Sequence, residues 1–156
     1  MFDDGKGIVE KLISDFPSFD NSVIYKGKLV RLDKRAQLGP GILFGKFQNE
    51  GLFQVVDEDK LTVFADYTLP KGLNNLGILV YSKGLKKTID NNELIKSGSR
   101  KELEIRALTI HASDKLIEKI NQYGDKQINA LHLDYKLWSE SRVKKGLHHL
   151  TITTAY

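Results

Sequence analysis

Ser99 to Gln122 reads SRKELEIRALTIHASDKLIEKINQ, and this stretch decides the fold class. Ser99 with Glu102 three residues on is a capping-box pattern for a helix start. Leu103, Ala107, Ile110, Ile117 and Ile120 recur at helical spacing, and Gly124 supplies the stop. A second run from about Gln127 to Ser139 reads as another helix. Shorter helices are predicted over Gly7–Phe16, ended by Pro17, over Asp57–Phe64, with Asp57 or Asp59 as cap, and over Ser82–Ile89, capped by Ser82. Val23–Tyr25 and Lys28–Val30 flank Lys26-Gly27 and predict a small β-hairpin. Asp33-Lys-Arg-Ala-Gln37 looks helical, and Gly39-Pro40-Gly41 should break or kink a helix there. Tyr67 to Pro70 reads as a turn, and Gly146 to Tyr156 as an extended tail. The expectation is a mainly α fold with one small hairpin, in a single domain over residues 1–156.

Composition narrows the function classes. The chain has no cysteine, so thiolate chemistry and disulfides are excluded. His111, His132, His148 and His149 show no HExxH or HxH spacing, and no metal is expected. No phosphate loop, dinucleotide fingerprint, hydrolase elbow or EF-hand loop is present, so no cofactor is expected. The net charge of +4 suits an anionic ligand. Basic residues are nevertheless spread along the chain, with short clusters only at Lys83–Lys87 and Arg142–Lys145, and read as a solvated surface rather than the single stripe of a nucleic-acid binder. No apolar run approaches the roughly 18 residues of a membrane span, and the acidic N-terminus lacks a signal core. A cytoplasmic protein is expected.

Two carboxylates stand out. Asp134 lies in Ile128-Asn-Ala-Leu-His-Leu-Asp-Tyr-Lys-Leu-Trp138, with Leu131 and Trp138 on its own helical face and Leu133 and Leu137 on the other. A carboxylate on such an apolar helix is either an active-site group or half of a structural ion pair. Trp138, the only tryptophan, either walls a slot for a base or packs in the core. Asp66 follows the apolar run Val63-Phe-Ala65, near a helix end where an aspartate is also ordinary. Lys34 and Arg35 form a basic pair at a helix start, usually a solvated position. Glu104 and Arg106 read as surface or interhelix charges, and His148-His149 as tail histidines.

At these residues the chain resembles a known family. From Leu12 to Tyr156 it is similar to the C-terminal part of the queuosine 5′-phosphate N-glycosylase/hydrolase family. The matching segments are Phe16-Pro-Ser-Phe19, Tyr25-Lys-Gly-Lys28, Lys34-Arg-Ala-Gln37, Gly51-Leu-Phe53 and Leu61-Thr-Val-Phe-Ala-Asp-Tyr67. Leu76-Gly-Ile-Leu-Val-Tyr-Ser82, Glu104-Ile-Arg106, Leu133-Asp-Tyr-Lys-Leu-Trp138, Lys145-Gly-Leu-His-His149 and the final Tyr156 follow in the family's order. The chain departs from the pattern at Thr68, Lys71, Ser139, Leu150 and Ile152, and at Gly39-Pro40-Gly41.

The resemblance implies hydrolysis of the N-glycosidic bond of queuosine 5′-phosphate, releasing queuine for reuse in tRNA. It also implies a fold similar to helix-hairpin-helix DNA glycosylases. By resemblance Lys34, Asp66 and Asp134 fall on active-site positions, with Asp134 and Asp66 catalytic. Lys34, Tyr67, Tyr135 and Trp138 are expected to contact the substrate. The family's N-terminal half would then have to come from a protein partner. The competing expectations are an inactive relative serving as a binding module, and a nucleic-acid-binding domain.

Overall fold

A computed structural model describes residues 1–47, 50–51 and 55–156. Leu52 and Phe53 of the Gly51-Leu-Phe53 motif lie outside the described residues. Helix α1 (Ile8–Asp15) leads into a hairpin of β1 (Ser22–Tyr25) and β2 (Lys28–Arg31), then α2 (Lys34–Phe47), α3 (Thr68–Asn75), α4 (Lys83–Asp90), α5 (Arg100–Tyr123) and α6 (Ala130–Val143). The protein is mainly α-helical with one two-stranded antiparallel sheet among the described residues.

The hairpin forms as its sequence predicts. Lys26 (φ 49°) and Gly27 (φ 76°) both take the left-handed conformation that a tight two-residue turn requires. Val23 pairs with Val30 and Ile24 with Leu29. The Tyr25 hydroxyl donates to Glu104 Oε1 at 2.7 Å and docks the hairpin on α5. Glu104 is thus a partly exposed bridge, which also pairs with Arg100.

Three expectations are corrected. Gly39-Pro40-Gly41 does not end a helix, because α2 runs through it. Pro40 leaves the Ala36 carbonyl without its usual donor. Ala36, Pro40 and Phe44, four residues apart, are all buried, and this packed stripe overrides the local cost. Tyr67 to Pro70 is not a simple turn, because α3 begins at Thr68 and carries Pro70 in its first turn, where no helical donor is needed.

The third correction shapes the site. Only Glu58–Lys60 is helical within Asp57–Phe64, as a single 3₁₀ turn. Asp57 does not cap a helix with its side chain; it accepts from the Met1 nitrogen (2.6 Å) and the Phe2 N–H (2.7 Å). Leu61 to Ala65 is not helical, and its Leu61, Val63, Phe64 and Ala65 are buried. Side chains from other helices serve its backbone. The Thr62 N–H donates to Gln37 Oε1 (3.0 Å), the Phe64 N–H to Asp134 Oδ1 (2.7 Å), and Arg106 Nε donates to the Ala65 carbonyl (3.1 Å). A buried backbone needs partners, and these replace a helical ladder.

The core gathers Val63, Leu69, Leu73, Ala130, Leu133 and Leu137, with Ile110 and Ile117 of α5 packed against it. Close approach of α3 to α6 depends on Gly72, where an added Cβ would lie 2.2 Å from Ser141 Oγ and 3.4 Å from Ser141 Cβ. Gly72→Ala gains helix propensity of about 1 kcal/mol. It must also displace a hydroxyl that is itself buried. A net loss of about 1–2 kcal/mol is expected in chemical denaturation, with Ser141→Ala in the same background restoring most of it.

Helix α5 is capped by Ser99, whose hydroxyl accepts from the Glu102 N–H, while the Glu102 carboxylate reaches Gly98 N rather than Ser99 N. Its buried residues include a polar line, Glu102, Arg106, Thr109 and Ser113, beside Leu103 and Ile105. Arg106 is 1% exposed and is therefore not a surface charge.

Candidate functional site

Helix α6 presents two faces. Leu133 and Leu137 enter the core. Leu131, Asp134, Tyr135 and Trp138 line a cavity of about 700 Å³ instead. Asn129 and His132, at the start of α6, stand on the same wall. Lys34, Leu38, Gly41, Ile42, Phe44 and Gly45 of α2 form the facing wall, and Phe64 and Asp66 the floor between them. Gly41 lets the walls meet, since a Cβ there would lie 2.9 Å from Phe64 Cζ and 3.0 Å from Leu131 Cδ2.

The cavity is mostly apolar, and that explains its electrostatics. Asp134 accepts one hydrogen bond, from Phe64 N, and has no ion-pair partner among the described residues. Burial pushes its carboxyl up to about 6. The Phe64 N–H bond and Lys34 oppose that rise, and the charge of Asp66 reinforces it. Burial also lowers Lys34 from its ordinary value, while both carboxylates pull it back up. The three groups therefore act on one another across the cavity. Asp66 is fixed by α3: its Oδ1 accepts from the N–H groups of Thr68 (2.6 Å) and Leu69 (3.1 Å). These bonds from the first turn of α3 hold Asp66 at the border of the cavity, whereas the end of an Asp57–Phe64 helix, expected just before it, is not present.

Five of the six expected site residues meet here: Lys34, Asp66, Asp134, Tyr135 and Trp138. Trp138 is 37% exposed with Arg142 at 4.6 Å from its ring, so it is not a core side chain. Tyr67 does not line the cavity. Its ring stacks on His148 at 4.6 Å and faces Tyr156 at 6.5 Å. The tail histidines differ: His149 is 1% exposed, and burial lowers it to about 4, so it is neutral at ordinary pH.

A family model described as "Queuosine salvage protein" matches residues 3–156. The chain belongs to the queuosine salvage protein family. Within this family the chain is 40% identical over 152 residues to a protein of Dictyostelium discoideum named "Queuosine 5'-phosphate N-glycosylase/hydrolase", covering 96% of this chain and 47% of that protein. A Sphaerobacter thermophilus protein of the same name is 37% identical, with the same coverage of each chain. One from Schizosaccharomyces pombe is 37% identical over 131 residues, 84% of this chain and 37% of its own length. The chain spans about half, or less, of the length of these curated relatives.

Several cavity residues of this queuosine salvage family member are not evident from its sequence. Asn129 and His132 cap α6 reciprocally, the Asn129 N–H donating to His132 Nδ1 (3.2 Å) and the His132 N–H to Asn129 Oδ1 (3.1 Å). That N-cap pattern is visible in Asn129-Ala-Leu-His132, but nothing in it points to a cavity. Gly41 was hidden by Pro40, which suggests a break where the helix continues.

Proposed function

We propose that this chain forms the carboxylate-bearing part of an N-glycosidase that hydrolyses queuosine 5′-phosphate, or queuosine, and releases queuine for tRNA modification. The observation that carries the reading is Asp66, Asp134 and Lys34 lining one mostly apolar cavity, with Asp134 held near 6 by burial. The names of the relatives support it.

Breaking an N-glycosidic bond builds positive charge on the sugar and negative charge on the departing base. Asp134 faces the sugar: its carboxylate stabilises the developing cation and takes a proton from the attacking water. A carboxyl near 6 is mostly ionised at neutral pH and still basic enough for that transfer. Asp66, its Oδ1 engaged by α3, offers Oδ2 to donors on the edge of the base. Trp138 and Tyr135 wall the slot for the ring, and Lys34 holds the phosphate or ribose as a point charge.

The cavity is open on one side: Ile42 is 59% exposed and Tyr135 71%. A substrate needs a further wall, which a partner or segment equivalent to the rest of the relatives' length would supply. In this reading the chain is one domain, 1–156, corresponding to the C-terminal part of the relatives, with a fold related to helix-hairpin-helix glycosylases. It acts in the cytoplasm on the free nucleotide rather than on tRNA. No described helix is long and apolar enough to cross a membrane.

The test is chromatographic detection of queuine from queuosine 5′-phosphate, with the chain alone and with the complementary part of a relative. Queuine release is expected under at least one condition. Folded protein that binds the nucleotide without cleaving it would favour a binding module instead, and retention on nucleic acid that falls with salt would favour a nucleic-acid domain.

A further inference from the structure

Arg106 is buried and does not line the cavity. A buried guanidinium is costly unless it is paired, and an apolar side chain of similar size would fill the space without that cost. Its contacts show where the charge is used. Nη1 donates to Glu102 Oε1 at 3.3 Å, and the guanidinium lies over the Tyr156 ring at 4.5 Å. Glu102 is itself 3% exposed, and its other oxygen accepts from Gly98 N at 3.2 Å, which anchors the pair to the start of α5. Nε donates to the Ala65 carbonyl.

Ala65 stands between Phe64, which holds Asp134, and Asp66 itself. Phe64 donates its N–H to Asp134 on α6. Asp66 is held by the first N–H groups of α3. Three successive residues thus tie one extended segment to α6, α5 and α3. Neighbouring Cα atoms are about 3.8 Å apart, so movement of the Ala65 peptide carries both anchors with it.

We propose that Arg106, clamped by Glu102 and Tyr156, is a positioning residue that fixes the Ala65 peptide and so sets the placement of Asp66 relative to Asp134. The proposal rests on the reading of those aspartates as the reacting pair. Two further features fit it. The neighbour of Tyr156 is His149, whose Nε2 lies 3.1 Å from the Tyr156 hydroxyl, and burial keeps that histidine neutral, so it adds no positive charge beside the guanidinium. The positive charge of Arg106 also reaches Lys34 and lowers its proton affinity, opposing the two aspartates.

The test uses Arg106→Met, and Arg106→Met with Glu102→Leu so that no buried carboxylate is left unpaired. Carbon-13 NMR follows the Asp134 carboxyl, and hydrogen exchange follows the Phe64 amide. With the segment released, the Phe64 bond that lowers Asp134 weakens. The Asp134 midpoint is expected to rise, and Phe64 to exchange about tenfold faster or more. Queuine release is expected to fall about tenfold or more in kcat, with KM little changed. Arg106→Lys, which keeps one of the two hydrogen-bonding contacts, should recover part of the loss. Folded variants with a wild-type Asp134 midpoint and Phe64 exchange would overturn the proposal. Failure of both Met variants to fold would overturn it too, by assigning the pair to the fold rather than the site. The NMR readouts need no turnover, so an inactive wild-type chain would defeat the functional reading and leave this one decidable.

Discussion

Asp134→Asn is expected to lose queuine release by about 10²–10⁴-fold, the usual worth of a positioned acid–base group, and to make the protein more stable at neutral pH. Asparagine keeps an oxygen for the Phe64 N–H and occupies the same volume. It cannot accept the proton of water or balance charge on the sugar. The stability gain follows from burial. The folded protein binds the Asp134 proton up to about pH 6, whereas the unfolded chain releases it near the ordinary aspartate value. Between those two pH values the native state holds more protons, so stability falls as pH rises through the window. Above pH 6 the ionised carboxylate costs its full desolvation, about 2–3 kcal/mol at most. The variant lacks that cost. Thermal unfolding from pH 4 to 8 should show it level with the wild type at the acid end and higher by several degrees at the neutral end. Equal melting curves across the range would show that Asp134 is solvated.

Asp66 makes the opposite contribution to stability. Asp66→Ala is expected to lose activity by a similar factor and also to destabilise the fold by about 1–2 kcal/mol, because two N–H groups of α3 lose their acceptor. Asp66→Asn separates the two effects. Its side-chain oxygen can still accept from Thr68 and Leu69, so denaturation should stay near wild type. Activity should still fall by about 10²-fold or more, because the negative charge is gone. Unchanged turnover in Asp66→Asn, with the fold intact, would leave Asp66 as a helix cap alone.

The parts of this molecule that follow local rules were legible in its sequence. The hairpin turn at Lys26-Gly27, the Ser82 and Ser99 caps and the Leu133/Leu137 face of α6 rest on contacts within a few residues. What was not legible rests on contacts distant in sequence. Leu61–Ala65 has helical-looking spacing, yet its backbone is served by Gln37, Arg106 and Asp134, up to 70 residues away. Helix α2 persists through Pro40 because Ala36, Pro40 and Phe44 are buried by the rest of the fold. Arg106 looked like one more charge on a charged helix, since only the folded protein places a carbonyl, a carboxylate and a ring around it. For the site, Asp134 was conspicuous because a carboxylate on an apolar helix needs an explanation. Asn129 and His132 were not, because their pairing is ordinary at a helix start.

In the proposed function queuosine 5′-phosphate occupies the cavity between α2 and α6 and meets both aspartates. Titrating the nucleotide into protein labelled with carbon-13 at the aspartate carboxyls tests it most directly. The expected Asp134 midpoint is about 6 in the free protein. The Asp134 and Asp66 resonances should then move together as the site fills, while exposed Asp90 and Asp125 stay still. Nucleotide binding that leaves both cavity aspartates unshifted would contradict it.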